Sequence, residues 1–364
     1  MTTVGLISRT ALPIDWRLLF DRDGSQRFVA IVRATYALSD AGPVQLAEQQ
    51  MPVVSTDVCW GDPATTSIRY EADLALRKPF IDVIVNGFAQ RPGGRKARRL
   101  VTELRVGRVR KRLVVHGDRQ RWFGMPGLAR RFEQMPIVYE RARGGTDRRR
   151  ADPKTWRSDP RNPYGTGYRK ARGPTGSAYE NIEPSRSFAR LRRRAPASYG
   201  FLPRLSSERV RYAGTYDQRW LDERFPLPPR DFDDRYYQGA PRDQWLERLE
   251  PGQPVLLRGL HSEGDRRFEL PELAIPYFAR YDHERREGWL RADTLLIEPD
   301  EERLFVTSRI DLPTGHNTRA LREVIVGDLT RGERRAFATG KRYRPLGSSR
   351  PAPSAEDLAP AGSI

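Results

Sequence analysis

The residue types best suited to chemistry gather in the stretch "YEADLALRKPFIDVIVNGFAQ" at positions 70–90. Glu71, Asp73, Arg77, Lys78 and Asp82 surround the start of an apolar run made of Ile81, Val83, Ile84 and Val85. Carboxylates beside a lysine can do acid–base work in an open cleft, because each charge moves its neighbour's proton affinity. The same residues can instead form local ion pairs or a turn at the mouth of a strand, with Pro79 interrupting pairing at its entrance. The strand pattern favours the second use, and Asp73 and Lys78 are the first residues to test for the first.

Elsewhere the reactive side chains are scattered. His116, His261, His283 and His316 lie far apart, and none has the one-turn spacing of a helical metal pair. His116, followed by Gly117 and Asp118 at the end of a strand, reads as a turn residue. The single cysteine, Cys59, excludes an internal disulfide framework and fits a reducing compartment; beside Trp60 it reads as packed. Gly-x-Ser-x-Gly, the phosphate loop and a dinucleotide fingerprint are absent. The reading is therefore of a protein without catalytic residues, cofactor or metal. The loop "NPYGTGYRKARG" (162–173) sets glycines beside Arg169, Lys170 and Arg172, a composition that can bind anions. Lacking a strand before it or a helix after it, it reads as a Gly-rich surface loop.

The charge that surrounds these candidates is regional. The formal net charge is +18, from 65 Lys/Arg against 47 Asp/Glu. Residues 90–200 hold 30 of those bases and 9 of those acids, which leaves 35 against 38 elsewhere. Only six of the bases are lysines, a bias that GC-rich codons produce without selection for phosphate recognition. The Arg-rich pieces "GGRKARR" and "ARLRRRAP" are short, and no helix-turn-helix, zinc finger or RNA-recognition signature accompanies them. An acidic protein partner or a solvated face is the expected use, with nucleic acid as the weaker alternative.

Short alternating segments bounded by Gly, Pro or Asp predict a mainly β protein. "WRLLFDRDGSQRFVAIVRATYAL" reads as a hairpin turning at 23–25. In "RLVTELRVGRVRKRLVVHGDR", Leu100, Leu104 and Val106 share a face with Val109, Leu113 and Val115 across a reversal at Gly107 and Arg108. Arg105, Arg110 and Arg112 then point to the other face, where solvent or a partner must receive them. Helices are expected within 126–140, in "DQRWLDERF", and after Pro241 in "APRDQWLERLEPG"; further hairpins are expected around Glu263–Arg266 and Pro299–Glu302. The expected architecture is two antiparallel β-sandwich or barrel-like units, at 1–141 and 198–345, with few short helices. An irregular Arg/Gly/Pro-rich excursion at 142–197 joins them, pinned by Trp156, Tyr164, Tyr168 and Tyr179, and a disordered tail fills 346–364. The N-terminus carries no signal-like segment, so a soluble cytoplasmic protein is expected, with no membrane partner.

Several segments in order, among them "YEADLALRKPFIDVIVNGFAQ", "GRVRKRLVVHGDRQRWF", "NPYGTGY", "YENIEP" and "DTLLIEPDEERLFVTSR", resemble a bacterial family catalogued as a domain of unknown function and encoded beside type VI secretion spike and effector genes. The resemblance covers about residues 60–310. It implies a non-enzymatic cytoplasmic adaptor or chaperone that binds an effector or PAAR-type spike-tip protein and assists its loading onto the VgrG spike, itself a possible partner. It brings no catalytic residues. The expected contact surface is the basic region, with Tyr164, Tyr168 and Tyr179 as apolar anchors and Arg169, Lys170 and Arg172 as the cations that meet carboxylates, the arginines as planar forks. A nucleic-acid-binding module, or a phosphate-processing enzyme using 90–200, is the competing reading.

Overall fold

The computed structural model describes residues 4–38, 42–123, 125–149, 151–168, 177–185, 195–315 and 320–340. Strand outweighs helix, 41% against 12%, so the protein is mainly β, and among the described residues no sheet closes into a barrel. Three sheets organise the chain. In the largest, Trp245–Leu246, Ile81–Val85, Arg291–Glu298, Arg303–Pro313, Gln26–Ala37 and Ile14–Phe20 lie side by side, and Gln45–Leu46 adds to the end of Gln26–Ala37. A five-stranded sheet runs Ile182–Pro184, Val109–His116, Arg99–Val106, Pro254–Arg258, Arg266–Glu269. A four-stranded sheet runs Gly5–Arg9, Leu321–Gly327, Pro276–Tyr281, Arg285–Trp289.

One face of the seven-stranded sheet supplies both main cores. Ala34, Val83, Leu295 and Val306 meet Leu104, Leu113, Val255 and Leu257 of the five-stranded sheet. Farther along, Phe28, Val32 and Leu312 meet Ala279, Leu321 and Val324 of the four-stranded sheet. This is face-to-face sheet packing built on period-two alternation.

The sheets do not respect a division at 141 or 198. Strands from before and after the excursion pair with one another in all three, and Ile182–Pro184 of the excursion itself pairs with Val109–His116. Nor are the sheets purely antiparallel: Ile81–Val85 runs parallel to Arg291–Glu298, and Gly5–Arg9 parallel to Leu321–Gly327. Periodicity states which side chains face a core; it does not state which distant strand supplies the neighbour.

Within elements, the hairpins at 23–25, 107–108 and 299–302 form as the turn residues suggest, and the one expected around Glu263–Arg266 turns over 259–265, with Arg266 opening the return strand. The helix Gln218–Glu223 forms, capped by Asp217. The stretch 126–140 is not helical; it holds the strand Gln134–Pro136 and enters a 3-10 turn at Tyr139–Arg141, with Pro126 and Pro136 breaking any longer ladder. After Pro241 a single 3-10 turn, Arg242–Gln244, gives way to the strand Trp245–Leu246. There Trp245 is drawn down onto Phe80, ring centroids 5.0 Å apart. The described parts of the excursion are tied into the fold: Asn162 is fully buried and donates to the carbonyls of Tyr139 and Arg143 at 2.8 and 3.0 Å. The tail 346–364 lies outside the described residues.

Candidate functional site

The charged cluster at 70–82 forms an in-register row across the second face of the seven-stranded sheet. Asp82 is opposite Thr294, Thr294 opposite Thr307, and Thr307 opposite Arg33. Asp82 is 0% exposed. Its carboxylate accepts from Lys78 Nζ at 2.9 Å, Gln238 Nε2 at 2.7 Å and the backbone amides of Gly239 and Ala240 at 2.8 and 3.1 Å. Lys78 also donates to Thr294 at 3.0 Å. Asp73 accepts from Arg33 at 3.1 Å and from the Val54 amide at 2.9 Å, and Thr307 donates to it at 3.2 Å. Glu71 pairs with Arg209 at 2.5 Å and Arg204 at 3.2 Å, and Arg309 pairs with Asp293. Burial pushes the Asp82 carboxyl up, against the pull of Lys78. For Lys78 burial also opposes the charge, yet Asp82, Glu71 and Asp293 together hold its proton above the ordinary lysine range. The row joins four strands to the chain at 238–240, and all four of its side chains are buried.

Two other arrangements have the residue types of a site. His261, Glu263 and Glu302 converge within 4.8 Å, as metal ligands would. However, Arg266 already reaches all three, with Nη2 at 3.3 Å from His261 Nε2, 2.8 Å from Glu263 and 2.9 Å from Glu302. The guanidinium supplies the positive charge that a metal would bring. Cys59 is half-buried, and desolvation with Asp57, Glu140 and Asp62 nearby pushes its thiol up, away from the reactive thiolate. His116 is half-buried at its strand end and His283 exposed in a turn, while His316 lies outside the described residues.

Of the residues expected at a partner surface, Arg169, Lys170 and Arg172 lie outside the described residues, and Tyr164, Tyr168 and Tyr179 are half-buried. Tyr179 packs against two guanidiniums, those of Arg119 and Arg121, at 4.9 and 4.8 Å from its ring. This stack supports a neighbouring two-stranded hairpin, Arg121–Trp122 against Met125–Pro126, joined to the excursion by Arg121 N–H to Ser177 at 2.8 Å. The hairpin exposes apolar surface that sequence reasoning assigned to no site: Trp122 is 53% exposed, Phe123 92% and Leu128 80%, with Met125 also exposed. Phe123 sits at φ +46°, a region unusual for a residue with a bulky side chain. Four large apolar side chains within the octapeptide "RWFGMPGL" were the available signal.

The outer face of the five-stranded sheet carries the arginines that the alternation turned outward. Arg112, Glu103 and Arg258 lie opposite one another across three strands. Glu103 accepts from Arg105, from Arg112 Nε at 3.1 Å and from Arg258 at 3.4 Å. These arginines hold its carboxyl below the usual range although burial, the largest single influence, opposes this. The next row reads Arg110, Arg105, Leu256, Arg267.

Residues 23–309 match a family described as "Uncharacterized protein conserved in bacteria (DUF2169)". The chain belongs to this DUF2169 family. No curated protein and no solved structure matches it. The matched span contains the buried row, the exposed hairpin and the arginine face alike. Among the described residues, no helix is long and apolar enough to cross a membrane.

Proposed function

We propose that this DUF2169 protein is a non-enzymatic cytoplasmic adaptor that binds a type VI secretion effector or PAAR-type spike-tip protein and assists its loading onto the VgrG spike. The observation that carries the reading is the hairpin 121–128. Trp122, Phe123, Met125 and Leu128 hold apolar surface in water beside the strongly basic part of the chain. Exposed aromatic and methionine side chains rimmed by charge mark protein-contact surfaces, and such anchors dominate interface energies. By contrast, the acid–base residues that an enzyme would use are locked into the sheet. The likeness of the chain's motifs to proteins encoded beside spike and effector genes supplies the partner class.

The test is co-purification of the full chain with effector and PAAR-type proteins from its own gene cluster. Capture by the wild type, reduced at least about tenfold by Phe123→Asp with unchanged unfolding midpoint, is the expected result. A gene cluster without secretion components, or capture indifferent to Phe123→Asp and Trp122→Ser together, overturns the reading or its surface respectively.

A further inference from the structure

We propose that the outer face of the five-stranded sheet is a second, separate docking groove that takes an extended acidic protein segment with an apolar anchor. The proposal rests on the adaptor reading for the source of that segment, a client protein. The groove is a depression of about 500 Å³ over Arg105, Pro254, Leu256, Arg258, Arg267 and Glu269. Its charges are unevenly matched. Arg105, Arg112 and Arg258 share the one carboxylate of Glu103, which is 1% exposed, while Asp265 lies 3.0 Å from Arg258. Arg110 and Arg267 are exposed and make no ion pair with a described residue. Counting Glu103, Asp265 and Glu269 against these five arginines leaves a surplus of two positive charges.

The geometry of that surplus selects the ligand. Arg110 stands directly opposite Arg105, although like charges facing each other across a strand pair are destabilising. Leu256 lies between Arg105 and Arg267 in the same row, which spans roughly 14 Å at the usual strand spacing. Cations therefore flank an apolar floor at intervals that carboxylates on an extended chain can match, and arginine forks hold carboxylates bidentately. Single-stranded nucleic acid needs aromatic platforms, and the one ring lining the groove, Phe268, is buried beneath it. A free phosphate has no backbone amide nest here, because the central strands spend their amides on the ladders. Strand addition is blocked at one end of the sheet, where Glu269 already exchanges backbone bonds with Gly42 and Val44. At the other end the edge strand Ile182–Pro184 is already bridged at Ile182 by Ala142, so the segment lies across the face.

The experiment is fluorescence anisotropy on the full chain with a short labelled peptide alternating Glu and Leu, its Gln/Leu counterpart, and a single-stranded oligonucleotide. The Glu/Leu peptide should bind at least about tenfold tighter than the Gln/Leu peptide, and more weakly as salt rises. Arg110→Glu with Arg267→Glu, which removes no side-chain ion pair between described residues, should weaken it about tenfold and let a Lys/Leu peptide bind instead. Circular dichroism of the variant secures its fold, and Leu256→Ser gives an independent loss through the floor. Equal binding of the Gln peptide, tighter binding of the oligonucleotide, or indifference to both variants overturns the groove. Client capture that persists when the peptide fails leaves the adaptor reading standing, whereas peptide binding without any client capture removes the adaptor reading and keeps the groove.

Discussion

Two sheets of this protein each carry a polar row across four strands, and the rows differ in who answers the charge. On the seven-stranded sheet, Asp82, Thr294, Thr307 and Arg33 are covered by the segments 70–80 and 238–240, and Asp82 alone receives four donors. On the five-stranded sheet, Arg105 and Arg267 line an open groove around Leu256 with Arg110 next in the row, and two of these three arginines have no acidic partner among the described residues. Charge that the fold satisfies itself is part of the scaffold; charge that it leaves unanswered is available to a partner. The comparison also separates the two kinds of substitution effect.

The largest expected effect lies in the buried row. Asp82→Ala strands Lys78 and the amides of Gly239 and Ala240 in a dry interior, so stability should fall by about 3–5 kcal/mol, read by urea unfolding. A loss below about 1 kcal/mol would remove the distinction between the rows. Next comes Gly239→Ala. An added Cβ would stand 2.3 Å from Glu71 Oε2 and 2.6 Å from the Phe201 ring, so an overpacking loss of about 1–3 kcal/mol is expected in the same assay.

Two buried lysines sharpen the contrast through pH. Lys78 keeps its proton more tightly when folded, so its stabilising contribution is complete below the unfolded value near ~10.4 and disappears as pH rises through the higher folded value. Lys111, bonded to Gln244 at 2.6 Å and Asp243 at 3.0 Å, has its pKa lowered, chiefly by burial. Between that lowered value and ~10.4 the unfolded chain binds the extra proton, so stability should rise with pH across this window. Lys78→Met should diminish the loss above pH ~10.4 and Lys111→Met should abolish the rise below it, each seen as a change of slope in unfolding free energy against pH. The smallest effect belongs to the open row: Arg110→Ala should change stability by no more than about 0.5 kcal/mol.

Much of the open row was legible in the sequence. Alternation placed Arg105, Arg110 and Arg112 opposite the core residues Leu104 and Leu113, and a turn at Gly107 set their register. What alternation could not supply was Arg258 and Arg267, which arrive from a hairpin some 150 residues downstream whose pairing with Arg99–Val106 leaves no local trace. The buried row shows the same limit: the polar mouth of the strand at Ile81 was readable, but Thr294, Thr307, Arg33 and Gln238 reach it by long-range pairing and packing. The hairpin 121–128 was missed because its glycine and proline punctuation sits beside a run that suggested a helix between prolines.

Hydrogen–deuterium exchange of the full chain with and without a captured client tests the central claim most directly, because it observes both sheets and the hairpin in one experiment. The account predicts added protection at 121–128 and across 105–112 and 254–269, with 70–85 and 238–245 unchanged. Protection confined to 70–85 and 238–245, or new exchange there on binding, would contradict it.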